Sequence, residues 1–388
     1  MNADWSISPL FSPSLAGVAL GVLFSSMAGP TYAQTRIEIR PVETVTLSNQ
    51  QFLTGDKNGK PAMLAGELRI PKPGNDKLPA VILVHGAGGI GALHERWVQE
   101  LNSVGIATFL LDSFSGRGIV STINDQSQLD SLAMMVDAYR ALGSLSQHPR
   151  IDPNRIAVMG FSKGSAAALY SSNERFRKMY GPPNVEFAAH IALYAPCNVT
   201  YRDDTKLTGK PIRLFHGTAD DWVSIEPCRD YVSRLRNSGA DVVLTEFPGA
   251  NHAYDAFFVK DALKYPQAQT TRHCALEEGN AGDTLNSKSG SHYDLNDPCV
   301  EKGTTVKYDE EATAASTKAV KEIPCSDAHK RHEKQLNGRL ARDKAEATVM
   351  FASRPVHPAA DIRHQSVAAC TLSGRTSQRE ACLALEWQ

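Results

Sequence analysis

The sequence predicts an α/β protein with a mostly parallel central sheet and helices on both of its faces. Apolar runs typical of strands alternate with helical patterns from about residue 80 to about residue 260, which is the pattern of strand–helix–strand units. The run Leu78–Val84 has no polar alternation, as expected of a strand buried on both faces. With 388 residues and 42% hydrophobic content, the chain can form one large domain or two smaller ones.

The remaining elements follow from local periodicity. In the segment 127–147 the apolar residues at 129, 132, 135, 136, 139 and 142 share one face of a helix, and the other segments are identified by the same criteria. The predicted order after strand 78–84 is helix 93–104, helix 127–147, strand 155–159, helical run 165–169, strand 189–195, strand 211–216, helix 226–238, strand 241–247 and helix 309–323.

The most specific motif is GFSKG at 160–164, between the strand 155–159 and the helical run 165–169. Strand, Gly-x-Ser-x-Gly and helix in this order form a nucleophile elbow, in which a sharp turn exposes the serine hydroxyl. Small residues on both sides permit the turn, and the amides that begin the helix favour negative charge. The motif predicts Ser162 as the nucleophile of a serine hydrolase; a Gly/Ser turn without chemistry is the alternative.

A serine nucleophile needs a base and an orienting acid, each on a loop that follows a strand. Two adjacent carboxylates, Asp220 and Asp221, follow the strand 211–216, and His252 follows the strand 241–247 on a Gly-bearing loop. His252 is the only one of the 12 histidines placed in this way, whereas His85 and His216 close strands, where packing or hydrogen bonding is expected. A neutral imidazole would take the serine proton, and the carboxylate would fix its tautomer.

The Gly-rich loop at 85–91 follows the strand Leu78–Val84. It resembles the HG-x-G loop that donates one amide to an oxyanion, while the residue after the nucleophile donates the other. The predicted oxyanion donors are therefore the N–H groups of Ala87 and Lys163. A phosphate-binding loop is the alternative, but the spacing fits neither the P-loop nor the dinucleotide fingerprint.

These motifs together resemble the dienelactone hydrolase family of the α/β-hydrolases. The matching stretch runs from about 80 to 255 and contains, in the order of the family, HGAGG, LLDSFSGRG, GFSKG, HGTADDW and GANHAYD. The resemblance implies an α/β-hydrolase fold. It also favours Asp220 over Asp221 as the acid, because the family's acid lies three residues after the Gly of this loop. Asp221 then becomes a solvated loop residue or a helix cap.

Two features of the resemblance concern the substrate. The named dienelactone hydrolases carry Cys as the nucleophile, whereas this chain has Ser162, which favours an ordinary ester over dienelactone chemistry. Arg117, in the segment LLDSFSGRG, is a candidate contact for a substrate carboxylate through two parallel hydrogen bonds. A surface or salt-bridged loop arginine is the alternative.

The two ends of the chain differ from the predicted catalytic domain, 34–324. Residues 1–33 resemble a secretory signal, with an apolar stretch at 15–24, too short to span a bilayer comfortably, and a small-residue cleavage pattern ending at Ala33. The first residues include Asp4 but no Lys or Arg, which departs from the usual basic leader, and an uncleaved membrane anchor is the alternative. Residues 325–388 are charged and without clear apolar periodicity, which predicts a poorly ordered or partly helical extension.

Seven cysteines favour an oxidising compartment. We expect a Cys197–Cys228 disulfide, because adjacent strands bring these positions together, and a Cys274–Cys299 disulfide closing a polar stretch. The other three cysteines leave one unpaired. No Cys-x-x-Cys spacing occurs, so zinc is disfavoured.

The sequence as a whole predicts a periplasmic or secreted serine hydrolase that cleaves a carboxylic ester through an acyl-enzyme. The expected partner is a small-molecule ester, with no cofactor, no metal and no stable membrane association once the signal is removed. The net charge of −1 and pI near 6.9 give no indication of nucleic-acid binding. A peptidase or thioesterase on the same fold, and a non-catalytic binding protein that kept the scaffold, are the alternatives.

Overall fold

The computed structural model describes residues 36–323. The predicted signal segment and the predicted extension lie outside the described residues. The strands are β1 (Arg36–Thr46), β2 (Lys60–Ile70), β3 (Leu78–Val84), β4 (Ala107–Asp112), β5 (Ile151–Phe161), β6 (His190–Leu193), β7 (Val199–Thr200), β8 (Ile212–Gly217), β9 (Val242–Phe247), β10 (Leu263–Thr270), β11 (Leu276–Glu278), β12 (Thr284–Asn286) and β13 (Glu301–Val306). The helices are α1 (Asn49–Thr54), α2 (Ala92–Ser103), α3 (Ser131–Ser146), α4 (Lys163–Tyr170), α5 (Glu174–Tyr180) and α6 (Glu226–Asn237), and residues 310–323 are also helical.

The central sheet has eight strands in the order β1-β2-β4-β3-β5-β6-β8-β9. The six strands from β4 to β9 in this order are parallel, and β1 and β2 are antiparallel additions at one edge. The predicted α/β class with a mostly parallel sheet is confirmed.

Apolar clusters lie on both faces of this sheet. One cluster contains the inward side chains of α1, α3, α4, α5 and α6 together with alternate residues of the strands. The other contains Trp97, Val98 and Leu101 of α2 and Ala312 and Val320 of the helix 310–323. The helices therefore cover both faces of the sheet, which buries the parallel strands as their uniform apolar character requires.

Several boundaries differ from the predictions for local backbone reasons. The helix predicted from residue 127 begins at Ser131, because Gln126–Gln128 is a 3-10 turn and Leu129 is extended. β6 ends at Leu193 rather than at 195, since Tyr194 has a φ of 42°. The sequence predicted no strand before residue 78, yet β1 and β2 pair over their full length.

Two small sheets lie outside the central sheet. β10 pairs with β13, and β7 pairs with β11, which in turn pairs with β12. Both expected disulfides are present, Cys197–Cys228 and Cys274–Cys299, with Cα separations of 4.9 and 5.0 Å. Among the described residues, no helix has the length and apolar character needed to cross a membrane.

Candidate active site

Ser162 occupies a sharp turn between the end of β5 and the start of α4. Its backbone has φ 50° and ψ −117°, a conformation that non-glycine residues seldom adopt and that is common at functional sites. A Cβ at Gly160 would overlap the backbone of Gly164, and a Cβ at Gly164 would overlap the carbonyl oxygens of Val84 and His85. Both glycines of the motif are therefore required by the close approach of backbone segments.

The structure brings Ser162, His252 and Asp220 together. His252 Nε2 lies 3.0 Å from Ser162 Oγ, and His252 Nδ1 lies 2.7 Å from Asp220 Oδ2. Ser162 follows β5, Asp220 follows β8 and His252 follows β9. All three side chains therefore come from the carboxyl ends of parallel strands. Ligand sites of open α/β sheets lie outside this edge.

Asp220 is buried but well supplied with hydrogen-bond donors. Its Oδ1 accepts hydrogen bonds from the backbone N–H groups of Trp222 and Val223, at 2.9 and 2.8 Å. Burial acts against ionisation, but the neighbouring rings of His252 and His216 outweigh it and hold the pKa of Asp220 well below its usual range. The carboxyl group is therefore an anion facing the imidazole of His252.

The second candidate acid, Asp221, contacts Thr305. Its Oδ1 accepts a hydrogen bond from Thr305 N at 2.7 Å, and its Oδ2 accepts one from Thr305 Oγ1 at 2.8 Å. These bonds attach the loop after β8 to β13. Of the two adjacent carboxylates, the structure brings Asp220 to His252.

Two aromatic rings enclose His252. The ring of Tyr194 meets the imidazole edge to face at 4.8 Å between centroids, and the ring of Trp222 lies 4.9 Å away. The Tyr194 hydroxyl donates to the buried Asp255 at 3.1 Å, and Trp97 Nε1 donates to the same carboxyl group at 2.6 Å. Sequence reasoning did not identify this supporting group. The sequence HAYD at 252–255 places Asp255 three residues after His252, and this short spacing was the signal that could have identified Asp255.

The Gly-rich loop passes directly beside Ser162. A Cβ at Gly86 would lie 3.3 Å from the Cβ of Ser162. The Ala87 carbonyl accepts hydrogen bonds from Thr122 N at 2.8 Å and from Ser121 Oγ at 3.2 Å, which fix the peptide planes of the loop. Lys163 is the first residue of α4, and the amides of a first helical turn have no acceptor within the helix.

The Lys163 side chain turns into the same region. Its Nζ donates to Gln126 O and to Gln126 Oε1, each at 2.9 Å. Burial lowers the pKa of Lys163 to about 8, although Asp130 and Asp125 act in the opposite direction.

Arg117 is not part of this group, which corrects the predicted substrate contact. Its Nη1 and Nη2 each donate to the fully buried Asp137 at 2.8 Å, its Nε donates to Thr46 Oγ1 at 2.7 Å, and Nη1 also donates to Ser113 O. Its donors are thus used to pair a buried carboxylate. The salt-bridged loop arginine, the alternative interpretation, describes what the structure contains.

The two histidines that close strands are hydrogen-bonded, as expected. His85 Nδ1 lies 2.8 Å from Gly86 O and its Nε2 accepts from Ser113 N, whereas His216 Nε2 lies 2.9 Å from Val223 O. Within residues 36–323, no cluster of three or more His, Cys, Asp or Glu side chains is arranged to hold a metal ion.

A pocket of about 500 Å³ opens beside Ser162 and Lys163. Its lining residues come from the start of α1, the start of α3, from α4, from within the segments 126–127, 196–201 and 269–271, and from the stretch closed by the Cys274–Cys299 disulfide. Trp222 and Val223 of the loop that carries Asp220 also line it.

The sequence model of the dienelactone hydrolase family matches residues 65–276, which is more than half of the chain. The chain belongs to the dienelactone hydrolase family. This hydrolase family match begins in β2, includes the whole group of Ser162, His252 and Asp220, and ends at Leu276. Most of the Cys274–Cys299 stretch therefore lies beyond it.

Individual proteins similar to this dienelactone hydrolase family member are distant. A Bradyrhizobium protein described as "Probable 2-oxo-3-(5-oxofuran-2-ylidene)propanoate lactonase" is 24% identical over 210 residues, covering 50% of this chain and 80% of its own. The dienelactone hydrolase-like promiscuous phosphotriesterase P91 from metagenomic libraries has 16% identity and a TM-score of 0.45, with 75% and 98% of the two chains covered. Thermogutta terrifontis esterase 2, phosphonylated by cyclosarin, has 18% identity and a TM-score of 0.41, with 50% and 81% covered.

Proposed function

We propose that this protein is a serine hydrolase that cleaves a carboxylic ester through an acyl-enzyme intermediate. The observation that supports the proposal most directly is the continuous contact from Asp220 through His252 to Ser162, at 2.7 and 3.0 Å. Membership of a hydrolase family supports the reaction class. A nucleophile, a base and an oriented acid within hydrogen-bond reach are what acyl transfer requires.

In the proposed mechanism, Ser162 Oγ attacks the ester carbonyl while His252 Nε2 takes the hydroxyl proton. Asp220 accepts the Nδ1–H bond, keeps the imidazole in the tautomer with a free Nε2, and stabilises the transient imidazolium. The imidazolium then returns its proton to the departing alcohol, which leaves Ser162 acylated. Water, deprotonated by the same imidazole, hydrolyses the acyl-enzyme and restores the serine.

The oxyanion that forms in both steps would be held by the amides of Ala87 and Lys163. Three features support this assignment: the close packing of Gly86 on Ser162, the fixed Ala87 carbonyl, and the position of Lys163 as the first residue of α4. One such donor typically contributes about 3 kcal/mol to lowering the barrier.

The substrate includes both open-chain esters and lactones, since a lactone is an internal ester and reacts by the same steps. The Bradyrhizobium relative is described as a lactonase, which favours including lactones in any substrate panel. Its identity to this chain is only 24%, so its specific substrate is a probe to test and not an assignment.

The protein is proposed to act outside the cytoplasm. Its two disulfides suggest an oxidising compartment, and residues 1–33 carry the sequence features of a secretory signal. Expression with the native N-terminus, followed by intact-mass analysis of the periplasmic fraction, should give a chain beginning at Gln34. A full-length chain retained in the membrane fraction would instead indicate an anchor.

The proposed activity is tested by a fluorophosphonate probe and a panel of p-nitrophenyl esters, lactones, thioesters and peptides, applied to wild type and Ser162→Ala. We expect labelling and ester turnover in wild type and neither in Ser162→Ala. Turnover of thioesters or peptides without esters would favour the two alternative hydrolases. A folded wild type that is not labelled and turns over nothing would favour the binding-protein alternative.

A further inference from the structure

The stretch closed by the Cys274–Cys299 disulfide forms one wall of the pocket beside Ser162. Six pocket-lining residues belong to its central part: Asp283, Thr284, His292, Tyr293, Asp294 and Leu295. We call this stretch, 274–299, the wall loop. The family match ends at Leu276, so the family's shared sequence does not specify this wall.

The wall loop is anchored at several points, so its side chains have defined positions around the pocket. The disulfide closes its ends, and β11 pairs with β7 on one side and with β12 on the other. Glu278, whose side chain is fully buried, accepts hydrogen bonds from Arg175 and from the backbone and side chain of Arg202. Anchoring of this kind fixes a wall before the substrate arrives, which is what specificity by preorganised contacts requires.

The charged side chains that line the pocket are predominantly acidic. Asp283 and Asp294 come from the wall loop and Asp130 from the N-terminus of α3, whereas Lys163 is the one lysine or arginine in the lining. The Lys163 ammonium is already hydrogen-bonded to two oxygens of Gln126. Neither Asp283 nor Asp294 forms an ion pair with any residue in the described part of the chain.

The pKa of the Tyr293 hydroxyl, on the wall loop, is raised by burial and by neighbouring carboxylates. Burial raises the pKa of Tyr293 to about 12, and the carboxylates of Asp297, Asp130 and Asp294 act in the same direction. The phenol is therefore neutral and available as a hydrogen-bond donor in the pocket. Carboxyl groups of the wall loop and of the start of α3 thus act on one lining group.

We propose that the wall loop makes this pocket selective for esters whose pocket-bound part carries a positive charge or only neutral hydrogen-bonding groups, and that it excludes carboxylate-bearing esters. Burial raises the pKa of Asp130, so the negative charge of the pocket comes from Asp283 and Asp294 of the wall loop, against one engaged ammonium. Unlike charges within a few ångströms attract and like charges repel in a partly desolvated site. The inference rests on the proposed esterase activity and concerns which esters that activity accepts.

The test uses two sets of three esters matched in length, and each set differs only in charge. In one set the acyl half is 6-aminohexanoyl, heptanoyl or adipoyl, each as the p-nitrophenyl ester. In the other set the alcohol half is choline, 3,3-dimethylbutanol or 3-hydroxypropanesulfonate, each as the acetate. In at least one set we expect kcat/KM to be highest for the cationic ester, intermediate for the neutral ester and lowest for the anionic ester. At low salt, kcat/KM of the anionic ester should be about 10-fold or more below that of the neutral ester. Raising the salt concentration should bring the kcat/KM values of the charged and neutral esters closer together, because the pocket is open to solvent.

The variants Asp283→Asn and Asp294→Asn keep the side-chain shape and remove one charge each. Each variant is expected to lower the ratio of kcat/KM for the cationic ester to kcat/KM for the anionic ester by about 2- to 5-fold, mainly through changes in KM. Glu277→Gln is the matched control, since Glu277 is exposed on the same loop but does not line the pocket, and it should leave the ratio unchanged.

Three outcomes separate this proposal from the proposed function. If the neutral esters are hydrolysed and both sets show equal rates for all charges, or the anionic ester is best, the inference about the wall loop is wrong while the esterase stands. An anionic preference lost in Lys163→Met would show that the ammonium, and not the carboxylates, selects the substrate. If no ester is turned over, the proposed function itself fails.

Discussion

His252 Nδ1 lies 2.7 Å from Asp220 Oδ2, while the adjacent Asp221 is hydrogen-bonded to Thr305. The two neighbouring carboxylates thus have separate tasks. We predict that Asp220→Asn lowers kcat by about 10³- to 10⁴-fold, because an amide does not hold the imidazole in the tautomer that accepts the serine proton. Steady-state kinetics on a p-nitrophenyl ester, with circular dichroism to verify folding, measure this.

Asp221→Asn is the matched control for that variant. It replaces one of the two oxygens that accept hydrogen bonds from Thr305 by an NH2 group, and it should lower the melting temperature with at most a few-fold change in kcat. If Asp221→Asn abolished turnover and Asp220→Asn did not, the assignment of the acid would be reversed.

The correction at Arg117 leads to a second prediction. Arg117→Met leaves the buried carboxylate of Asp137 without its cation, and loss of one partner of a buried pair typically costs about 3–5 kcal/mol. We expect a large fall in the free energy of unfolding, measured by denaturant titration, with KM of the remaining folded enzyme nearly unchanged.

The double variant Arg117→Met/Asp137→Leu should recover part of that loss, since replacing both partners removes the unpaired charge. A raised KM with unchanged stability would restore Arg117 as a substrate contact.

The buried histidines predict a pH dependence of stability. Burial, assisted by His85, lowers the pKa of His94 to about 3, and burial lowers that of His190 to about 4, from 6.5. The unfolded chain therefore binds protons near pH 6.5 that the folded chain does not, so the free energy of unfolding falls as the pH drops below about 6.5. Each histidine contributes up to about 1.4 kcal/mol per pH unit in this range.

His94→Asn keeps an acceptor for Gly91 N and removes one of these groups. Denaturant titrations between pH 6.5 and 5 should show a slope smaller than that of wild type by about one proton. Identical slopes would mean that His94 is protonated in the folded protein.

The elbow glycines give a fourth prediction. Gly164→Ala would place a methyl group on the carbonyl oxygens of Val84 and His85, at the point where the Gly-rich loop begins. We expect a large loss of stability, and a lower kcat in whatever folds, because the loop must move away from Ser162.

Gly91→Ala is the matched control, since Gly91 is extended at φ −158° and a Cβ there meets open space. It should retain the melting temperature and kcat of wild type. Equal tolerance of both substitutions would contradict the close packing described at the elbow.

Five of the six parallel strands and the order of the site residues were predictable because each depends on local sequence, whereas β4 was not predicted. An unbroken apolar run such as Leu78–Val84 is compatible with few environments, and the GFSKG turn is specific to one backbone geometry. The antiparallel strands β1 and β2 were missed because an edge pair has a solvated face. Along both strands, buried side chains alternate with more exposed ones, so the sequence has no continuous apolar run that would indicate a strand.

The tertiary contacts of single side chains could not be predicted in the same way. Arg117 and Asp137 are 20 residues apart and meet only when α3 packs on the sheet. The wall loop has no apolar periodicity, and its position beside Ser162 depends on a disulfide, on pairing between β11 and β7, and on the buried Glu278. The Cys pairing was predictable, but the place of the closed loop in the pocket was not.

The central claim, that Ser162 is the nucleophile, is tested most directly by mass spectrometry of the protein after reaction with a fluorophosphonate. We predict a single adduct located on the peptide that contains Ser162, formed by wild type and lost in both Ser162→Ala and His252→Ala. An adduct on any other residue, or equal labelling of folded Ser162→Ala, would contradict the account.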